Sequence, residues 1–355
     1  MIAAVSSGRE SAHREPVRRE SMHSVRAQLL HWFDNGAIAA GRGGEALAAS
    51  GLAPDGRRWL RFVDSVLLLL GGLSLASGVV FFVAYNWDAL GRLFQFVLLQ
   101  AGLLAAVAAW WWLGPRARGE DRLAAQVALL VAAVLLGALL ALYGQTYQTG
   151  ADPWQLFGTW ALLLLPWAVA GRFAPLWLLW LALLNLTLAT YYRARFGLLG
   201  AAFASKDDLV WLLFALNGLA WVAWEFAARR LDWLVLARWP VRLIATAAGF
   251  ALTILVLRAV FDPDSPPFLL AWGAYLAWLA AVYAAYRRRL PDLFMLAGAC
   301  LSLIVCVTAL VAHLLIDGGD APGLLLLIAV LVIGQAAGAA AWLRHVHAEQ
   351  MEQTS

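Results

Sequence analysis

Apolar runs long enough to cross a lipid bilayer recur about ten times along the chain, separated by short polar or basic segments. A membrane-spanning helix needs about 20 predominantly apolar residues, with about 17 as the lower limit. By that measure the spans fall near 65–85, 93–113, 123–143, 156–171, 174–192, 209–228, 243–261, 268–286, 293–315 and 324–343. The fourth is the shortest and carries Pro166, which a membrane helix tolerates when neighbouring groups satisfy the freed carbonyl. Ahead of the first span, HSVRAQLLHWFDNG sets Leu29, Leu30, Trp32 and Phe33 at helical spacing and closes on Gly36. A second short helix is expected over Gly44 to Ser50, after which APDGRRWLRFVD runs into the membrane. The pattern predicts an all-α, polytopic transmembrane bundle of about ten spans with a small N-terminal cytoplasmic helical segment. The expected organisation is a disordered basic tail (1–22), the cytoplasmic helical segment (23–64), two transmembrane halves of five spans each (65–192 and 209–343) and a cytoplasmic tail (344–355).

Charge placement orients this bundle. Only 14% of the 355 residues are charged and 63% are hydrophobic, where a soluble domain is about a quarter charged. The net charge of +4 comes from arginines in short clusters between apolar runs, which is how topology is encoded, and not from one phosphate-binding face, so nucleic acid is excluded as a partner. With the N-terminus inside, the inner loops hold Arg57, Arg58 and Arg61; Arg116, Arg118 and Arg122; Arg172; Arg229, Arg230, Arg238 and Arg242; Arg287, Arg288 and Arg289; and Arg344. The outer loops hold Arg92, then Arg193, Arg195 and Lys206, then at most Arg258. The expectation is a multi-pass membrane protein with both termini cytoplasmic. Trp110, Trp111, Trp112, Trp239 and Trp342 fall at inner edges, and Trp87, Trp154, Trp160 and Trp211 at outer ones, as aromatic belts require.

One outer turn is unlike the rest. LYGQTYQTGADPWQLFGTW, Leu142 to Trp160, interrupts two Leu/Ala/Val runs with amides, hydroxyls and aromatic rings. The other outer hairpin of the same half, FFVAYNWDALGR, gathers Tyr85, Asn86, Trp87 and Asp88 at the same membrane level. Two readings stay open: an interfacial cap that anchors helix ends, or an outward pocket for a small or lipid-linked ligand formed by Tyr85, Asn86, Trp87, Gln145, Tyr147, Asp152 and Trp154. In either, Asp152 stands where a helix N-cap belongs, with Pro153 at the first helical position. These two stretches, VLLLLGGLSLASGVVFFVAYNWDAL and LYGQTYQTGADPWQLFGTWALLLLPWAV, resemble the family of bacterial predicted membrane proteins known as domain of unknown function 2157. The resemblance runs from about Leu29 to Trp180, with Tyr85 where the family commonly has Ala. It implies a membrane protein with a short N-terminal helical segment and carries no activity with it.

The other polar residues suggest structural roles. Glu225 with Arg229, and Arg258 with Asp262, are spaced as helical ion pairs near span ends. His313 is expected at the interface. Gln100, Gln126, Asn185, Asn217 and Gln335 reach into the spans and are expected to bond between helices. Asn185 and Asn217 lie at similar depth in adjacent antiparallel spans, so their amides should meet. Ser74 with Gly78, and Gly334 with Gly338, are small-xxx-small steps that predict close helix packing. Cys300 and Cys306, six apart in one apolar run, point to different helix faces and fill space. There is no phosphate-binding loop, no metal-ligand spacing and no dinucleotide fingerprint, so neither cofactor nor metal is expected and an enzyme is disfavoured. The first reading is a structural or interaction protein with an outward polar-aromatic site, whose partners are the bilayer, a small or lipid-linked ligand and other membrane proteins. A transporter or channel for a neutral solute is the alternative, and a membrane enzyme acting on a lipid-linked substrate the third.

Overall fold

The computed structural model describes residues 56–85, 91–114, 120–196, 207–231, 233, 238–262, 268–316 and 321–352, with isolated positions between 29 and 46. The long helices are α1 (Gly56–Tyr85), α2 (Arg92–Leu113), α3 (Glu120–Thr146), α4 (Pro153–Gly171) and α5 (Ala174–Phe196), followed by α6 (Asp208–Ala228), α7 (Trp239–Phe261), α8 (Phe268–Ala284), α9 (Leu293–Ile316) and α10 (Ala321–Glu352). A π-helical turn, Ala285–Arg289, continues α8. Ten described segments are long and apolar enough to cross a bilayer, so the protein is the all-α transmembrane bundle its sequence predicts. The fourth span is one unbroken helix that starts at Pro153 and contains Pro166. The expected tail 1–22 lies outside the described residues, as does most of the segment from Gly44 to Ser50. The segment 344–355 is helical as far as Glu352.

Two compact units divide the chain: residues 1–61 with 344–355, and residues 62–343. In the first, Leu29 and Val346 are buried, and His345 Nε2 lies 2.9 Å from Glu349 Oε1 one turn on.

The second unit is built around α3 and α7. Half of the apolar window of α3 and 56% of that of α7 are buried inside the protein, against 6% for α1 and none for α10. Lipid is as apolar as leucine, so helices here associate by close packing and hydrogen bonding, not by hiding apolar area. The contacts show it: Ala132, Ala133, Ala168 and Ala248 are completely buried, while Leu269, Leu325 and Ile333 face outward. Two glycines make the closest approaches. A Cβ on Gly137 of α3 would overlap the six-membered ring of Trp160 from α4, and one on Gly249 of α7 would lie 2.8 Å from Trp278 Cζ2 of α8. Each indole fills the notch left by the missing side chain. Trp160 also donates its Nε1–H to the carbonyl of Ala133 at 2.9 Å, so it is an interior wedge and not the outer-belt residue expected. The small-xxx-small steps do not pack as predicted: Gly78, Gly334 and Gly338 face open space among the described residues.

The two halves meet at α5 and α6. Asn217 Nδ2 donates to Asn185 Oδ1 at 2.6 Å, and Asn185 Nδ2 returns a bond to Asn217 Oδ1 at 3.2 Å. Each amide also donates to the carbonyl four residues earlier in its own helix, Leu181 or Leu213, at 2.8 Å. Gln335 reaches Thr308 at 3.2 Å.

Candidate functional site

The polar passage from Leu142 to Trp160 proves to be a helix stop, a short link and a helix start. Helix α3 ends at Thr146, and Gln148 then adopts φ 43° in the left-handed region. The Thr149 N–H turns back to the Gly144 carbonyl at 3.4 Å, a six-to-one closure that satisfies one of the orphan carbonyls at the helix end. Gly150 follows at φ 64°, which glycine adopts without a Cβ clash. Asp152 is extended at the N-cap, and Pro153 occupies the start of α4, where its missing N–H is not needed. The same conformation opens a cleft of about 920 Å³ on the hairpin, walled by Tyr143, Gln145, Thr149, Trp154 and Gln155 among others. That volume lies within the range of small-ligand sites.

Aromatic contacts hold the rim. Tyr147 packs 4.8 Å from Tyr143 and 6.2 Å from Phe96 of α2, and Trp154 meets Tyr191 of α5 edge-on at 5.2 Å. Gln145 and Trp154 both line the cleft. Tyr147 stands beside it, 62% exposed. Asp152 departs from its expected role: its side chain makes no cap hydrogen bond, and its Oδ2 accepts the Trp154 indole N–H at 3.3 Å. An indole donor two residues on competes with the backbone for that carboxylate. Tyr85 closes α1 in an exposed position, while Asn86 and Trp87 lie outside the described residues, so the expected meeting of Asn86 with Gln145 does too.

A second polar cluster, overlooked in the sequence, joins the arginine-bearing ends of α6 to α9. Asp292, 3% exposed, accepts Nε of Arg238 and both Nε and Nη2 of Arg242, each at 3.1 Å. Its Oδ1 also accepts the Phe294 N–H at 3.1 Å, capping α9. Arg238 Nη2 bridges to Glu225 Oε1 at 3.0 Å. The same oxygen takes the Tyr286 hydroxyl at 2.6 Å, and that hydroxyl accepts the Trp221 indole N–H at 2.7 Å. Two arginines and two carboxylates balance, so the network carries no net charge into a low-dielectric setting. Glu225 therefore pairs with Arg238 and not with Arg229, because it faces donors inside the bundle while Arg229 is exposed at the helix end. Arg258 pairs with the buried Asp207 at the start of α6. The signal for Asp292 was present: Pro-Asp directly before an apolar run marks a helix start. No group of three or more metal-ligating side chains comes together among the described residues.

Comparison with known families bears on the first half of the chain. Residues 30–177 match the family described as predicted membrane protein, domain of unknown function 2157. No curated protein and no solved structure matches. The match to domain of unknown function 2157 takes in α1 to α4 and ends just inside α5, so it contains the cleft between α3 and α4. The asparagine pair and the charge network fall in the rest of the chain, beyond it.

Proposed function

We propose that this protein is a structural or interaction protein of the bacterial inner membrane, both termini cytoplasmic, with an outward-facing site for a small or lipid-linked ligand between α3 and α4. The observation that carries the reading is the cleft itself: the family-matched turn puts an amide (Gln145), a hydroxyl (Thr149) and an indole (Trp154) around one volume of about 920 Å³. Polar groups that fix orientation, set in an otherwise apolar and aromatic wall, are the pattern of small-molecule sites. The arginine distribution supports the orientation, since the flanks of this hairpin carry none between Arg122 and Arg172.

A photoreactive alkyl glycoside, which joins a hydroxyl-rich head to an apolar tail, tests the site in nanodisc-embedded protein. Crosslinks should map by peptide mass spectrometry to residues 140–162 and should fall in Gln145→Ala and Trp154→Ala. Labelling spread evenly over the lipid-facing helices, and unchanged in both variants, would remove the proposal.

A further inference from the structure

We infer that the second half holds one anionic phospholipid in a groove between α7, α8 and α9, with its phosphate at Arg242. The groove has a volume of about 360 Å³ and is walled by Thr246, Gly249 and Leu257 of α7, Trp278 of α8, and Phe294 and Gly298 of α9, among others. From Thr246 to Leu257 it follows about 17 Å of helix axis at 1.5 Å per residue. One leaflet of the hydrocarbon core is about 15 Å deep, so a single acyl chain fits its length.

Hydrogen-bond accounting favours a hydrocarbon chain over a polar solute. Every hydroxyl in the wall already donates. Thr246 Oγ1 bonds the Arg242 carbonyl at 2.7 Å, and Thr253 Oγ1 bonds the Gly249 carbonyl at 2.7 Å. Ser302 Oγ lies 2.7 Å from Thr253 Oγ1 and 2.9 Å from the Tyr275 hydroxyl, which completes a relay with no donor left over. The Trp278 indole nitrogen is buried and out of reach.

The polar end is supplied by Arg242. It sits one turn before Thr246 on the same face of α7, and its guanidinium lies 5.4 Å from the centre of the Phe294 ring, which forms part of the groove wall. Asp292 engages Nε and Nη2. Nη1 makes no hydrogen bond to the described residues, and the side chain is 39% exposed. A guanidinium with a free edge suits a phosphate oxygen. The neighbouring helix ends carry Arg229, Arg230 and Arg288, all exposed, which favours an anionic headgroup.

Gly298 makes the test clean. It lines the groove, and a Cβ built on it meets nothing within 4 Å, so the side chain of Gly298→Leu has open space to enter. Gly273 is equally open but lies outside the groove, and Gly273→Leu is the control. Full-length protein is equilibrated with vesicles of equal parts phosphatidylglycerol and phosphatidylcholine, extracted, and weighed by native mass spectrometry. Wild type and Gly273→Leu should retain one phosphatidylglycerol, preferred over phosphatidylcholine by about fivefold, the effect of a single basic residue on an anionic lipid. Gly298→Leu should lose it, and Arg242→Gln should lose the headgroup preference. Equal retention of the two lipids by wild type, or retention untouched by Gly298→Leu, overturns the inference.

Discussion

Removing the Asp292 carboxylate should be among the most damaging single changes in the second half of the bundle. In Asp292→Ala, Arg238 and Arg242 together lose three hydrogen bonds of 3.1 Å, and α9 loses its cap at the Phe294 N–H. Breaking a buried ion pair by deleting one partner costs about 3–5 kcal/mol, because the other charge is stranded. Loss of a helix cap costs about 1 kcal/mol. The two overlap at one side chain, and Arg242 can turn partly to water, so the expected loss is about 4 kcal/mol. An ordinary interhelical hydrogen bond in a membrane protein averages only about 0.6 kcal/mol, so the two accounts are well separated. Equilibrium unfolding in mixed micelles of rising dodecyl sulfate content, followed by tryptophan fluorescence, measures the difference. Asp292→Asn keeps an acceptor for the cap and should fall between the variant and wild type. Adding Arg242→Ala to Asp292→Ala should recover part of the loss, since it removes a stranded guanidinium. Arg193→Ala, on an exposed side chain, should lie within about 0.5 kcal/mol of wild type. A loss below about 1 kcal/mol for Asp292→Ala would refute the reasoning and reduce the network to an ordinary set of membrane hydrogen bonds.

Gly137→Ala should cost about 1–3 kcal/mol by overpacking Trp160, whereas Gly78→Ala, with open space at its Cβ, should cost almost nothing; the same unfolding assay compares them. Asn217→Leu should destabilise by about 0.6 kcal/mol and no more than about 1.7, and a double-mutant cycle with Asn185→Leu should show that the two effects do not add. Reporter fusions at Ala151 and Ser355 should report opposite sides of the membrane, and a same-side result would contradict the proposed orientation.

The spans were legible because bilayer thickness imposes a length that apolar runs either meet or fail. The Asn185–Asn217 contact was legible for a related reason, since adjacent antiparallel spans of known register fix the depth of each residue. The charge network was not. Its bonds between helices span 13, 50, 54, 61 and 65 positions of sequence, and the local rule that a carboxylate pairs with an arginine four residues away supplied neither Arg238 for Glu225 nor Asp207 for Arg258. That rule holds for solvated helix faces. Here Glu225 meets an arginine at the start of the next helix, and Arg258 meets a carboxylate at the start of another. In the hairpin between α3 and α4, the passage was legible as a break and Asp152 as the N-cap position, while its bond to Trp154 depends on a rotamer that spacing does not reveal.

The tryptophan wedges set where the bundle can yield. Trp160 in the notch of Gly137 and Trp278 in that of Gly249 act as keys: sliding α4 along α3, or α8 along α7, would have to lift an indole over the next turn of the helix. Each key therefore opposes sliding within its pair. Between α5 and α6 the asparagine amides exchange two hydrogen bonds, and each amide has a second partner within its own helix, so parting them strands few polar groups. The seam between α5 and α6 lacks such a key among the contacts described, and shear of one half against the other would run along it.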